Sequence, residues 1–286
     1  MSDSSHEKKR KILIVLSGES FRTGGQYSRI VGRDESYEGQ ISACKSHIRF
    51  FEYLVSNTSF EVDVMINTNS TKFNNDLIDV YKESVINGLY YTLYSHTGFP
   101  WPENRLVQVD TKPDISEDQK FNYVPVEYPN HSVAGFKESI LRLRGGVFEY
   151  YSVMYLRIDC YLKKFFYDNF DIHTKKITFF FKETTGKWSK NPAFVHPKKK
   201  QPKYIITYRV ADLMVYFRNT WPSLDTLYDF LDMFEKNKET AMDSSDASAR
   251  HMSSGTDWEG FGFIVPEIYN PNTAAQSNPL YYIVNR

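Results

Sequence analysis

The chain has 286 residues, 41% hydrophobic and 16% aromatic, which is enough to bury the core of one large α/β domain or two small ones. Its 35 Lys and Arg balance its 35 Asp and Glu, so it lacks the overall positive field on which general nucleic-acid binding rests. No run approaches the ~20 apolar residues of a membrane span.

In chain order, residues 1–10 read as a flexible polar tail whose HEKKRK run, His6 to Lys11, is solvated. Because Lys and Arg lead directly into a short strand-like run, this start does not read as a signal peptide. Residues 11–16 (KILIVL) form an unbroken apolar run, as expected of a strand buried on both faces of a parallel sheet. Between Glu35 and Val55 the apolar residues Ile41, Cys44, Ile48, Phe51 and Val55 fall on one face of a helix. A second strand, Glu61 to Ile66 (EVDVMI), ends in Asn67-Thr68-Asn69. Strand, loop, helix and strand make the βαβ unit that opens a doubly wound sheet.

Residues 74–86 read as helical, Leu89 to Tyr94 as extended, and Arg105 to Val109 as a short strand. A proline-broken acidic connection covers 110–132, and residues 134–144 form a helix stopped by Gly145-Gly146. Ser152 to Ile158 (SVMYLRI) is a strand ending in Asp159. Two more buried-strand candidates, Ile177 to Phe181 and Ile205 to Val210, flank a basic, proline-containing loop. Leu224 to Phe234 reads as a helix, residues 235–256 as a mobile polar loop, and the segment from Asn270 to Arg286 as irregular. Cys44 and Cys160, both in apolar settings, read as buried free thiols of a reducing compartment, so the expectation is a soluble cytoplasmic protein.

Two constellations carry chemistry. The first is the loop after the first strand, "SGESFRTGGQYSR". It contains neither GxGxxG nor GxxxxGK[ST], but Gly18, Gly24 and Gly25 allow backbone N–H groups to approach an anion. Arg22, Arg29 and Arg33 can contact phosphate in bidentate fashion, and the carboxyl end of a first strand is where open α/β sheets bind ligands. Glycine and arginine are also ordinary surface-loop residues.

The second constellation is "YYSVMYLRIDCYL", in which a buried strand delivers Arg157 and Asp159 to one face. Such a pair at a strand exit is either an internal salt bridge or a functional site. In the second case the carboxylate holds Mn²⁺ or Mg²⁺ on a diphosphate and the arginine offsets phosphate charge.

A strand ending in Arg-x-Asp, well downstream of a strand–glycine loop–helix start, resembles nucleotide-sugar glycosyltransferases of GT-A type, in which Asp-x-Asp is the usual form. More narrowly, "ILIVLSGESFRTGGQ" and "NTAAQSNPLYYIVNR" are similar to the small soluble glycosyltransferases of large algal DNA viruses, the chloroviruses, one class of which is a xylosyltransferase acting on a fucose acceptor. The resemblance implies an α/β fold with a GT-A-like Rossmann-type mixed sheet flanked by helices. It implies one glycosyltransferase domain over 11–286, with a nucleotide-sugar-binding half at 11–160 and an acceptor-binding half at 161–286. It also implies transfer of a sugar, with xylose a candidate, from a UDP-linked donor to a glycan such as a viral capsid N-glycan in the host cytoplasm. The donor site would comprise Ser17, Gly18, Arg22, Gly24, Gly25, Gln26, Asn67, Arg157 and Asp159, with Asp159 the metal ligand for Mn²⁺ or Mg²⁺. Arg157-x-Asp159 departs from Asp-x-Asp, which leaves metal dependence open.

Transfer with inversion needs a carboxylate to take the acceptor proton. Asp257 and Glu259, flanking Trp258 beside the polar loop, lead the candidates, and Asp212 is placed to hold donor or acceptor hydroxyls. Each of the three reads equally as a cap or exposed acid. Asp63, Asp76 and Asp79 are weaker alternatives. His47 reads as a surface or satisfied core residue, and His96 as part of an aromatic loop. The rival readings are a sulfotransferase-like or kinase-like phosphate enzyme, whose loops usually carry a lysine absent here, and a non-catalytic sugar- or nucleotide-binding module.

Overall fold

Ile12 to Leu16 are almost completely shielded from solvent, and the strand they build, β1 (Lys11–Gly18), runs through the middle of the main sheet. The computed structural model describes residues 10–24, 30–94, 149–174, 177–188, 204–210, 214–219, 261–264, 268–269 and 280–284. The expected strand at 105–109, the connection at 110–132, the helices at 134–144 and 224–234 and the loop at 235–256 lie outside the described residues, as do His96, Asp212, Asp257 and Glu259.

After β1 a two-residue ladder joins β2 (Arg22–Thr23) to β3 (Ile30–Val31). A 3-10 turn leads into helix α1 (Tyr37–Asn57), then strand β4 (Glu61–Asn69), helix α2 (Asn74–Lys82) and strand β5 (Gly88–Tyr94). The chain continues through β6 (Tyr150–Arg157), β7 (Cys160–Leu162), α3 (Lys164–Asn169), β8 (Ile177–Phe179), β9 (Lys182–Trp188) and β10 (Tyr204–Val210). Strands β11 (Met214–Arg218), β12 (Phe261–Phe263), β13 (Ile268–Tyr269) and β14 (Tyr281–Ile283) complete it.

Seven of these strands form one mixed sheet in the order β12-β8-β11-β6-β1-β4-β5. The β5-β4-β1-β6 half is all parallel, the order of a doubly wound nucleotide-binding half. Beyond it β11 runs antiparallel to both β6 and β8, and β12 is parallel to β8. The fold is therefore α/β with a mixed sheet rather than a continuous parallel one.

Two expectations for the second half change. Residues 204–210 do form a strand, but it pairs with β9 in a separate three-stranded sheet with β13. The place beside β6 in the main sheet goes to β11, whose Met214 to Phe217 are buried; the unbroken apolar run Met-Val-Tyr-Phe is too short to assign by periodicity. The C-terminal segment is not wholly irregular, because Tyr281–Ile283 pairs antiparallel with β7.

Helix α1 buries the face its apolar spacing indicates, and more beside it. Ile41, Cys44 and Phe51 are buried and Ile48 and Val55 pack half-buried against the core, but Gln40, Ser46, His47, Phe50 and Leu54 are buried as well. Polar residues take core positions because they have partners there. His47 Nε2 lies 2.7 Å from the Cys160 carbonyl and Nδ1 2.8 Å from the Tyr81 hydroxyl. A carbonyl only accepts, so Nε2 carries the proton and Nδ1 accepts from Tyr81. Ser46 Oγ receives the Leu162 N–H at 2.9 Å. His47 is thus a satisfied core residue that ties α1 to β7. Cys44 and Cys160 are buried free thiols, and burial pushes the Cys44 thiol up to about 11.

Asp63, near the amino end of β4, is 1% exposed and accepts from Tyr150 Oη at 2.9 Å and Asn87 Nδ2 at 2.8 Å, with Lys11 Nζ at 3.6 Å. Burial beside this carboxylate raises the Tyr150 hydroxyl far above its usual range. Asp63 is a structural anchor, not a free base. Asp76 and Asp79 are exposed on α2.

Burial lowers the His47 pKa to about 4, below the ~6.5 of an unfolded chain. Between these values the unfolded state binds the proton more readily, so stability falls as pH falls through that window. The contribution lost between pH 7 and pH 4 is about 3 kcal/mol. Urea unfolding at both pH values should show this increment in the wild type and not in His47→Gln.

Candidate functional site

In an open α/β sheet, ligands collect where the strand order reverses, outside the carboxyl ends of the strands. Here that point lies between β1 and β6, and it brings the two sequence constellations together. Ser17 is in register with Arg157 on one side and Asn67 on the other. The Ile158 N–H donates to the Ser17 carbonyl at 3.0 Å, carrying the β1–β6 ladder past the end of β6.

Gly18 turns the chain out of the sheet with φ of +123°, a conformation that favours glycine, and Gly24 does the same at the hairpin with φ of +81°. The backbone between them is fixed by side chains from other elements. Thr68 Oγ1 donates to the Gly18 carbonyl at 2.6 Å and accepts the Ser20 N–H at 3.0 Å. Gln40, from α1, accepts the Phe21 N–H at 3.1 Å and donates to the Ile158 carbonyl at 2.8 Å. Phe21 itself has φ of +49°, a costly conformation for a residue with a Cβ. Its ring is buried and packs against Phe73 and Tyr37 with centroids 4.9 and 5.9 Å away.

This scaffold delivers Arg22 to the exit of β6. Asp159, 2% exposed, accepts from Arg157 Nε on Oδ1 at 2.9 Å and from Arg157 Nη2 on Oδ2 at 2.5 Å. Arg22 Nη2 lies 3.0 Å from the same Oδ2, while Arg22 Nη1 donates to Glu19 at 3.1 Å. Arg22 is 3% exposed. Both carboxylate oxygens of Asp159 therefore face guanidinium nitrogen. The main chain of Asp159 is held as well, its carbonyl accepting the Val284 N–H at 3.0 Å.

The side chains at these strand ends are not all satisfied. Ser20 Oγ, Arg22 Nε and Asn69 Nδ2 are buried with no hydrogen-bond partner, and Ser20 and Asn69 are completely shielded from solvent. Buried polar atoms are normally paired; these three lie on the loop after β1 and at the end of β4, and Ser152 Oγ and Arg218 Nε at the amino end of β6 are likewise without a hydrogen-bond partner. Each of the three at the carboxyl end can act as a donor, which suits an anionic or hydroxyl-rich ligand.

Of the expected donor residues, Ser17, Gly18, Arg22, Asn67, Arg157 and Asp159 converge here, and Gly24 begins the hairpin tip. Gly25, Gln26 and Arg29 lie outside the described residues, and Arg33 is exposed. Gln40, Thr68, Ser20 and Asn69 were not anticipated as site residues. Ser20, inside the quoted loop, and Thr68 and Asn69, in the polar end of the second strand, carry a sequence signal, whereas Gln40 reads from sequence as an outward helix position.

The metal expectation meets a specific obstacle. A divalent cation needs free carboxylate oxygen, and the Asp159 oxygens are taken up by Arg157 and Arg22. Among the described residues, no group of three or more His, Cys, Asp or Glu is arranged to hold a metal ion. The described residues, as arranged, do not fit Mn²⁺ or Mg²⁺ on Asp159.

Gln40→Leu would leave the Phe21 N–H and the Ile158 carbonyl buried without partners. The expected loss is roughly 2–4 kcal/mol of stability by chemical denaturation, with faster hydrogen exchange at the Phe21 amide.

No helix among the described residues is long and apolar enough to cross a membrane. Comparison of the chain with protein-family models and with curated proteins gives no match.

Proposed function

We propose that the chain is a glycosyltransferase of GT-A-like organisation that uses a nucleoside diphosphate sugar. The observation that carries the reading is the convergence at the β1–β6 switch point of the Gly18 loop, Arg22 and the Arg157-x-Asp159 motif. The sheet supports it: a parallel 3-2-1-4 half able to take a nucleotide is continued by a half interrupted by the antiparallel β11. A mixed α/β sheet of this kind is compatible with the arrangement that the resemblance implies.

On this reading the donor lies across the carboxyl ends of β1, β4 and β6. The orphaned donors of Ser20, Arg22 and Asn69 meet its polar groups, and guanidinium charge stabilises the departing diphosphate. An acceptor hydroxyl attacks the anomeric carbon as a carboxylate removes its proton. Asp257 and Glu259 are the leading candidates for that base, with Asp212 holding hydroxyls. The narrower resemblance makes a UDP-linked pentose or hexose the donor and a viral capsid glycan the acceptor.

A panel of UDP- and GDP-sugars in thermal-shift and donor-hydrolysis assays tests the reading. At ligand concentrations well above Kd, the matching donor should raise Tm by several degrees, and slow release of nucleoside diphosphate should accompany binding. Arg157→Ala should weaken donor binding about tenfold or more. If no nucleotide sugar moves Tm and none is hydrolysed, the chain is not a nucleotide-sugar transferase.

A further inference from the structure

Resting on that reading, we infer that the donor diphosphate is bound without a divalent cation. Arg22 and Arg157 supply the countercharge, and Asp159 is a positioning residue that holds both guanidinium groups at the strand ends. A cation coordinated to Asp159 at ~2.1 Å would stand against two guanidinium groups that already contact the carboxylate at 2.5–3.0 Å. In a buried site that repulsion is poorly screened. Glu19, the nearest other described carboxylate in this cluster, is itself paired with Arg22.

Arg22 has capacity for a ligand. Arg22 spends Nη1 on Glu19 and Nη2 on Asp159, which leaves its buried Nε without a partner. A planar guanidinium held at two corners is fixed in orientation, so its remaining donor is aimed before any ligand arrives.

The charge arithmetic gives a signed consequence. Among the described residues Arg22 and Arg157 are paired with Asp159 and Glu19, so an arriving diphosphate competes with two carboxylates for the same guanidinium groups. Removing either negative charge should therefore strengthen diphosphate binding. For a metal held on Asp159 the sign is opposite.

Calorimetric titration of the full chain with UDP and GDP, in EDTA and in Mn²⁺, reads this directly. We expect affinities within about threefold of each other in the two conditions. Glu19→Gln and Asp159→Asn should tighten binding by about threefold to tenfold, and Arg22→Met should weaken it tenfold or more. Glu19→Gln carries the sign test if Asp159→Asn does not fold. Binding that requires Mn²⁺ and disappears in Asp159→Asn, or that weakens in Glu19→Gln, overturns this inference and leaves the nucleotide-sugar reading standing. If neither diphosphate binds in either condition, both fall.

Discussion

The buried carboxylate of Asp159 is the constraint around which the strand ends are organised. A carboxylate 2% exposed is tolerated only when neighbouring groups replace the water it has lost. Arg157, two residues away, could form an ion pair with it locally. Arg22 comes from 137 positions earlier (159 − 22), and its arrival ties the loop after β1 to the exit of β6. Removing either arginine leaves a buried charge short of a partner, so the loop, the strand end and the C-terminal segment bonded to Asp159 are coupled. Gln40 reinforces the same junction from the helix side, bridging Phe21 and Ile158 with one amide.

The two ends of the sheet handle their buried carboxylates differently. At the amino end Asp63 has Tyr150, Asn87 and Lys11 around it. Gly88 leaves room beside it, since a Cβ there would come within 3.1 Å of Asp63 Oδ1. That network is closed and needs nothing more. At the carboxyl end the loop backbone is equally well held, but Ser20, Arg22 and Asn69 keep buried donors unspent. Phe21 also holds a left-handed conformation that rings from two other elements maintain. Unspent donors occur at the amino end too, on Ser152 and Arg218, but only at the carboxyl end do they accompany a maintained backbone strain, which costs stability and is common at ligand sites. The contrast separates a structural carboxylate, Asp63, from one at a candidate site, Asp159, although both lie in buried strands or at their ends.

What the sequence disclosed follows from how local its signals are. The run Ile12 to Leu16, the EVDVMI strand and the strand entering Arg157-x-Asp159 are unbroken apolar segments, and all three occupy the parallel half of the sheet. A right-handed crossover is the rule for βαβ units such as β1–α1–β4, but that β6 lies on the other side of β1 is visible only in the pairing. The buried face of α1 is wider than its apolar spacing indicates because Gln40 and Ser46 are polar by type and buried by circumstance, as is His47. The partners of Gln40 and His47, the backbone at Phe21, Ile158 and Cys160, come from distant parts of the chain. Strand β11 is not legible in the sequence, and the sheet to which β10 belongs is not either, for a related reason: both are short β-rich segments, and only pairing with β6 or β9 tells them apart.

The same limit explains why Arg-x-Asp could be read two ways from sequence. A dipeptide spacing shows that the two charges share a face, not whether the carboxylate is left open. The third charge decides that, and Arg22 reaches it only because Gly18, Phe21 and Gln40 bend the loop back over the strand ends. With two guanidinium groups on one carboxylate, the site's cationic chemistry is built from arginine, whose fixed fork of N–H donors matches phosphate oxygens without an intermediary. On the proposed reading, the carboxylate that an Asp-x-Asp motif would offer to a metal serves instead to aim those forks.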